Sequence, residues 1–198
     1  MTQPAPLDNA ALLRRALDQF DALANAIPPE ALHAPTPCPE FNVSGLLDHL
    51  EMIADRVTAA AGGDTAEDYA FPSGPATQSD AVARWRAALD RLTPAMAASD
   101  PTSVGSLPFG QMPLIAAYGV FVGEFTTHSW DLAVAIDRQD LLDEDIGMAA
   151  FATVTTRIPW GPPDRTPFAD VVPVPDDAPI YNRLAGWMGR DPAIWTSK

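Results

Sequence analysis

The segment from Pro113 to Asp137 constrains the fold most, because a long apolar helical pattern there carries both a carboxylate and an imidazole. Glu124 and His128 fall on the apolar stripe of this pattern. Four residues advance about 400° around an α-helix, so the two side chains lie one turn apart, roughly 6 Å along the axis. A lone buried charge costs several kcal/mol, so Glu124 requires a partner. The segment therefore predicts a helix in the core, with other elements packed over the side chains of Glu124 and His128.

Three further segments have the same periodicity and predict helices over about 8–26, 42–61 and 79–98. Asn42 is a typical N-cap for the second of these helices, and the glycine pair at 62–63 ends it. A shorter helix is expected over 143–158. The predicted core positions of the long helices are Leu12, Leu13, Leu17, Phe20, Leu23 or Ala24; Leu46, Leu50, Ile53, Val57; Val82, Trp85, Leu89, Leu92, Met96; and Leu114, Phe121, Phe125, Leu132 with Ala135 or Ile136. Four long helices around one polar cluster predict an all-α fold, an antiparallel four-helix bundle.

The other segments are rich in proline and glycine. Alternate prolines in residues 34–41 predict an ordered extended strap. Residues 64–78 are expected to form a loop, and residues 103–110 a small β-hairpin. Residues 159–179 contain too many prolines for regular structure, and one short helix is expected near 181–188. The 198 residues suit a single domain, with the bundle at about 8–158 and an irregular C-terminal extension at about 159–198.

Composition narrows the set of partners. The net charge of −14, from 26 acidic and 12 basic residues, argues against nucleic acid and anionic membrane surfaces. The chain has no run of about 18 apolar residues, and its first residues lack the features of a signal peptide. Cys38 is the only cysteine, which excludes an internal disulfide and fits a reducing compartment. We therefore expect a cytoplasmic protein in which Cys38 is a small buried apolar group.

The histidines suggest a metal site. His49 lies on the inward face of the second helix, and a bundle can bring it toward Glu124 and His128. Two imidazoles and a carboxylate with a free position are typical of a catalytic zinc site, and nickel, iron or manganese accept the same donors. The alternative is a hydrogen-bonded core pair without metal, since the E-x-x-x-H spacing is common on helices. Asp131 either orients the His128 ring or is a solvated or helix-capping carboxylate, and His33 is expected to be solvated in a loop.

Three separated motifs carry a resemblance to a known family. They are residues 36–43 (TPCPEFNV) leading into 46–50 (LLDHL), residues 124–132, and the ending 174–192. Together they resemble the actinobacterial metal-binding proteins of the DinB-like superfamily, in particular the group related to mycothiol-dependent maleylpyruvate isomerase. The aromatic residue after the Pro-Cys-Pro motif is commonly tryptophan in that family and is Phe41 here. The ending resembles the shorter relatives, and the distinct C-terminal domain of the isomerase itself is not evident.

The resemblance implies a DinB-like four-helix bundle that holds a divalent metal, usually zinc, through His49, Glu124 and His128. From it we expect a metal-dependent thiol S-transferase or isomerase. A small thiol such as mycothiol would occupy the open metal position and attack a small electrophile. The alternative is a non-catalytic metal-binding module with a regulatory or interaction role. The resemblance also suggests a homodimer, because several DinB-like proteins pair through their helices.

Overall fold

The computed structural model describes residues 8–64, 80–157 and 169–195, and it has an all-α, DinB-like fold with one small hairpin. The helices are α1 (Asn9–Asn25), α2 (Val43–Gly62), α3 (Ala81–Ala98), α4 (Leu114–Ala135), α5 (Glu144–Arg157), α6 (Ile180–Trp187) and α7 (Pro192–Trp195). Strands β1 (Val104–Leu107) and β2 (Gly110–Pro113) pair antiparallel, which confirms the predicted hairpin. Short 3₁₀ helices occur at Pro29–His33 and Gln139–Leu141. Of the predicted loop over 64–78, residues 65–78 lie outside the described residues.

Caps explain where α1 begins and where α2 begins and ends, and those of α2 were predicted. Asp8 precedes α1 and accepts a hydrogen bond from the N–H of Ala11 at 3.1 Å. Asn42 accepts in the same way from the N–H of Gly45 at 2.8 Å, and α2 ends at Gly63 with φ 86°. Pro113 was expected as the first residue of α4, but it precedes the helix because it pairs with Val104 in the hairpin and is held extended there.

Contacts among the first four helices close a ring. α1 packs against α4, α2 against α3, α2 against α4, and α1 against α3, an order that a four-helix bundle requires. α5 and α6 add to this ring, because α5 packs on α4 and α6 packs on both. The largest fully buried side chains are Trp85, Trp130, Tyr118, Phe20 and Phe125. Among the described residues, no helix combines the length and the apolar character that crossing a membrane requires.

Helix α4 differs from the expectation of one apolar stripe, because it is buried on nearly every side. All residues from Phe125 to Ala133 are buried, and only a few positions of α4 keep partial exposure. α1 and α2 cover one side, while α5, α6 and the hairpin cover the rest. Gly123 makes the α5 contact possible, since a Cβ there would lie 2.8 Å from a methyl carbon of Val154. Polar residues on α4 are therefore embedded in the core.

The strap over residues 34–41 is ordered, as predicted, but it is a closed loop rather than a straight segment. A bridge between Pro35 and Asn42 joins its ends. The hydroxyl of Thr36 donates toward the carbonyls of Cys38 and Phe41, at 3.1 and 2.7 Å. These two bonds and the bridge turn the chain inward, so that the side chains of Cys38 and Phe41 are buried.

The described part of the C-terminal extension packs on the bundle. Residues 169–179 form no helix or strand, in agreement with their proline content, while residues 158–168 lie outside the described residues. α6 is anchored by the hydroxyl of Tyr181, which lies 3.0 Å from the side-chain oxygen of Gln19 and 2.9 Å from the carbonyl of Asp143. Gly189 has φ 81° and turns the chain after α6, and α7 follows where none was predicted.

Candidate metal centre

The three residues predicted as metal ligands meet between α2 and α4. Nε2 of His49 lies 2.8 Å from Oε1 of Glu124, and Nε2 of His128 lies 3.6 Å from the same oxygen. One donor atom from each residue lies within 4.8 Å of the other two. The two helices position the set because Glu124 and His128 are one turn apart on α4 while α2 crosses beside them.

The cluster is enclosed on most sides and accessible at one. The side chains of His49 and His128 are 6% and 8% exposed, whereas that of Glu124 is 27% exposed. Phe41 of the strap stacks on the His49 ring at 4.8 Å between centroids, and the centroids of Phe41 and His128 lie 6.3 Å apart with the rings edge to face. Glu124 is therefore the most exposed member of the set. His33, the third histidine, is exposed in a 3₁₀ helix, away from this set.

Asp131 orients the ring of His128. Its Oδ2 accepts from Nδ1 of His128 at 2.8 Å, and Asp131 is fully buried. The alternative of a solvated or helix-capping carboxylate is therefore wrong. A carboxylate can only accept, so Nδ1 carries a proton, and Nε2 is the ring nitrogen that faces Glu124 and is left for a metal ion.

Arg190 completes this arrangement, and sequence reasoning did not assign it a role. Its Nη2 and Nε donate to the two carboxylate oxygens of Asp131, at 2.9 and 3.3 Å, and Nη1 donates to the carbonyl of Met188 at 2.8 Å. Arg190 lies in the extension, 59 residues after Asp131. The one available signal was that Arg190 belongs to the third motif of the family resemblance.

Interactions among the ionisable groups of the cluster oppose the effect of burial on their pKa values. Burial alone would raise the pKa of Glu124, but hydrogen bonds from His128 and His49 hold that pKa well below its ordinary value. Burial would lower the pKa of His128, but the carboxylates of Asp131 and Glu124 raise it to about 9. Burial also opposes ionisation of Asp131, and Arg190 together with His128 keeps the pKa of Asp131 lowered. A divalent cation would replace the proton on Nε2 of His128, and its charge would then balance that of Glu124.

The donor set fits a divalent transition metal. Ligands about 2.1 Å from a tetrahedral zinc ion lie roughly 3.4 Å from one another. The two separations that involve Glu124, 2.8 and 3.6 Å, bracket that value, and all three donor atoms lie within 4.8 Å of one another. Two imidazole nitrogens and one carboxylate oxygen suit zinc, nickel, iron or manganese.

A second group of metal-binding side chains shares His128. Cys38, His128 and Asp131 also place donor atoms within 4.8 Å of one another. This group is less suited to a cation, because Nδ1 of His128 already donates to Asp131 and Arg190 neutralises Asp131. Burial raises the pKa of the Cys38 thiol to about 11, so the sulfur is protonated at neutral pH.

Comparisons with known proteins give the family context. The sequence profile of the family described as mycothiol maleylpyruvate isomerase N-terminal domain matches residues 13–133. Two Mycobacterium tuberculosis proteins, the uncharacterized proteins Rv0738 of strain H37Rv and MT0763 of strain CDC 1551, are each 31% identical over 182 residues. Each alignment covers 89% of this chain and 94% of the relative. No solved structure shows significant similarity. The profile match includes His49, Glu124 and His128 and ends before the extension that carries Arg190.

Proposed function

The chain belongs to the family of the mycothiol maleylpyruvate isomerase N-terminal domain, and from this premise we propose that it binds a divalent metal ion through His49, Glu124 and His128. The observation that carries the proposal is the convergence of their donor atoms within 4.8 Å, from two helices, in a mostly buried position. Zinc is the ion we expect, and nickel, iron and manganese accept the same donors.

The reaction we propose is a thiol S-transfer or isomerisation on a small electrophile, with a mycothiol-type thiol as cosubstrate. The family name supports the thiol, and Glu124, the most exposed of the three ligands, is where we expect it to approach. A bound divalent cation acts as a Lewis acid and lowers the pKa of a coordinated thiol, which supplies a thiolate near neutral pH. Cys38 is buried and its pKa is raised, so the reacting sulfur comes from outside the chain.

The residues of the chain have distinct roles in this proposal. His49, Glu124 and His128 act as ligands rather than as general bases, because all three direct their donor atoms to one point. Asp131 holds the His128 ring in the required tautomer. Phe41 covers one face of the His49 ring and keeps water from it.

Metal analysis of the purified protein tests the binding step. We expect one metal ion per site in the wild type and loss of that ion in His128→Ala. His33→Ala is the matched control, because it removes an exposed histidine that is not part of the cluster. Metal retained in His128→Ala at the wild-type level would exclude this ligand set.

An assay of S-conjugation with a panel of electrophiles tests the reaction, using protein that has been chelated and then reloaded with metal. Turnover should disappear with the metal and return with it, and equal turnover in both states would contradict the mechanism. A non-catalytic metal-binding module would instead show a lower melting temperature after chelation, with no thiol or electrophile shifting it. The homodimer stays a prediction, which sedimentation analysis of the loaded protein would test.

A further inference from the structure

The C-terminal extension places a buried cation two contacts away from the proposed metal ligands. The side chain of Arg190 is 13% exposed and forms a two-bond ion pair with Asp131, whose side chain is fully buried. The same Oδ2 atom of Asp131 accepts from His128. A continuous chain of charged hydrogen bonds therefore runs from the extension to an imidazole of the centre.

Contacts within the extension hold Arg190 in place. The backbone N–H of Arg190 donates to the carbonyl of Ala185 at 2.9 Å, and Nη1 is bound by the carbonyl of Met188. Gly189 adopts φ 81°, and a Cβ there would lie 2.6 Å from the Cβ of Ala169. The turn after α6 thus fixes both the backbone and the side chain of Arg190.

The ion pair decides the total charge of the centre. Arg190 cancels the charge of Asp131, and Glu124 cancels one of the two charges of a divalent ion. One positive charge is left for whatever occupies the open position. Without Arg190, the charge of Asp131 would bring the net charge of the centre to zero. The net electrostatic attraction of the centre for an anion would then be lost. Charges in such a mostly enclosed position are weakly screened, so a difference of one unit in net charge changes the affinity for an anion.

We infer that Arg190 is a positioning residue for anion selectivity, which keeps the centre singly positive so that its open position prefers a monoanionic ligand such as a thiolate. The inference rests on the proposed function, because it assigns a ligand charge to that same site. It adds a role for the C-terminal extension, which lies beyond the residues 13–133 matched by the family profile.

The test uses the full chain loaded with saturating cobalt, whose visible spectrum reports its ligands. Two probes are titrated, 2-mercaptoethanol as the source of a thiolate and imidazole as a neutral ligand. In Arg190→Met we expect thiolate binding to weaken on the order of tenfold, or about 1.4 kcal/mol, with imidazole binding little changed. The affinity for cobalt itself, measured by chelator competition, should be retained or increased, because an extra negative charge remains nearby.

A charge-matched double variant is the critical control. Asp131→Asn with Arg190→Met removes both charges, restores the net charge of the centre and leaves an amide oxygen to accept from His128. Because Asp131→Asn also weakens metal binding, cobalt is raised until the double variant is saturated, and it should then bind thiolate more tightly than Arg190→Met alone. Arg190→Lys, which keeps the charge, should also bind thiolate better than Arg190→Met.

Three results would overturn the inference. The first is wild-type thiolate affinity in Arg190→Met, and the second is a double variant that binds thiolate no better than the single one. The third is equal weakening of thiolate, imidazole and cobalt, which indicates a loosened site. If Arg190→Met does not fold, Asp131→Asn is compared with the double variant, because both contain the amide and they differ by the charge of Arg190. Equal thiolate affinity in these two variants contradicts the charge argument. A wild-type protein that binds neither cobalt nor thiol refutes the proposed function, a result distinct from these three.

Discussion

Alkylation of Cys38 gives a test of where the reacting thiol comes from. The residue is 5% exposed, and burial raises the pKa of its thiol from 9.0 to about 11. At pH 8 a thiol with the ordinary value is about one-tenth thiolate, whereas the Cys38 thiol is about one-thousandth thiolate. Because only the thiolate reacts with iodoacetamide, the native protein should be alkylated at least about 100-fold more slowly than the unfolded chain.

The assay is clean because Cys38 is the only cysteine in the chain. Alkylation would be followed by intact mass in native buffer and in denaturant at the same pH. The proposed thiol transfer should persist in Cys38→Ala, since in that proposal the sulfur that reacts is that of an added thiol. Native alkylation as fast as in denaturant, or loss of transfer in Cys38→Ala despite normal metal content, would refute the reasoning.

The same pKa shift gives a pH dependence with a defined sign. The pKa of Cys38 is higher in the folded state, so the unfolded state ionises first as the pH rises. The associated stability is complete below about pH 9 and is lost as the pH rises toward 11, by up to roughly 3 kcal/mol. Urea unfolding of wild type and Cys38→Ala across this range measures it, and parallel pH profiles would contradict the shift.

Three further changes have defined expected outcomes. Asp131→Asn should lower metal affinity about 10–100-fold, because the amide holds the His128 ring less firmly, and chelator competition measures this change. Tyr181→Phe should lower the free energy of unfolding by about 1–2 kcal/mol in urea, since the hydroxyl bonds to Gln19 and Asp143 are lost, and an unchanged value would show that they contribute nothing. Phe41→Ala should cost about 3–5 kcal/mol in thermal unfolding of the metal-free protein, because a buried ring is removed, and a loss below 1 kcal/mol would argue against its packing role.

The long helices were predictable because local chemistry sets both their faces and their ends. Asp8 and Asn42 cap α1 and α2 through their own side chains, and Gly63 closes α2, so the predicted bounds differ from the observed ones by at most one or two residues. The E-x-x-x-H spacing on α4 likewise places Glu124 and His128 one turn apart, whatever the rest of the fold does.

Contacts between distant parts of the chain were not predictable from periodicity. The burial of α4 on all sides depends on α5 and α6, which a single-helix pattern does not report. Ion pairs between helices depend in the same way on the packed fold, as when Glu51 and Asp55 of α2 pair with Arg84 and Arg91 of α3. No spacing rule connects Asp131 with Arg190, so the positive member of that pair was visible only in the folded chain.

The order of synthesis gives the Arg190 to Asp131 pair a further consequence. Arg190 is translated 59 residues after Asp131, an interval of about 3–12 s at ribosomal speeds of roughly 5–20 residues per second. By the end of that time α1 to α5 have been synthesised, while the carboxylate of Asp131, near the C-terminal end of α4, still lacks the guanidinium of Arg190. Burying a carboxylate without that counter-ion is unfavourable, so we expect the helices to close fully around Asp131 only after the chain has been translated through Arg190.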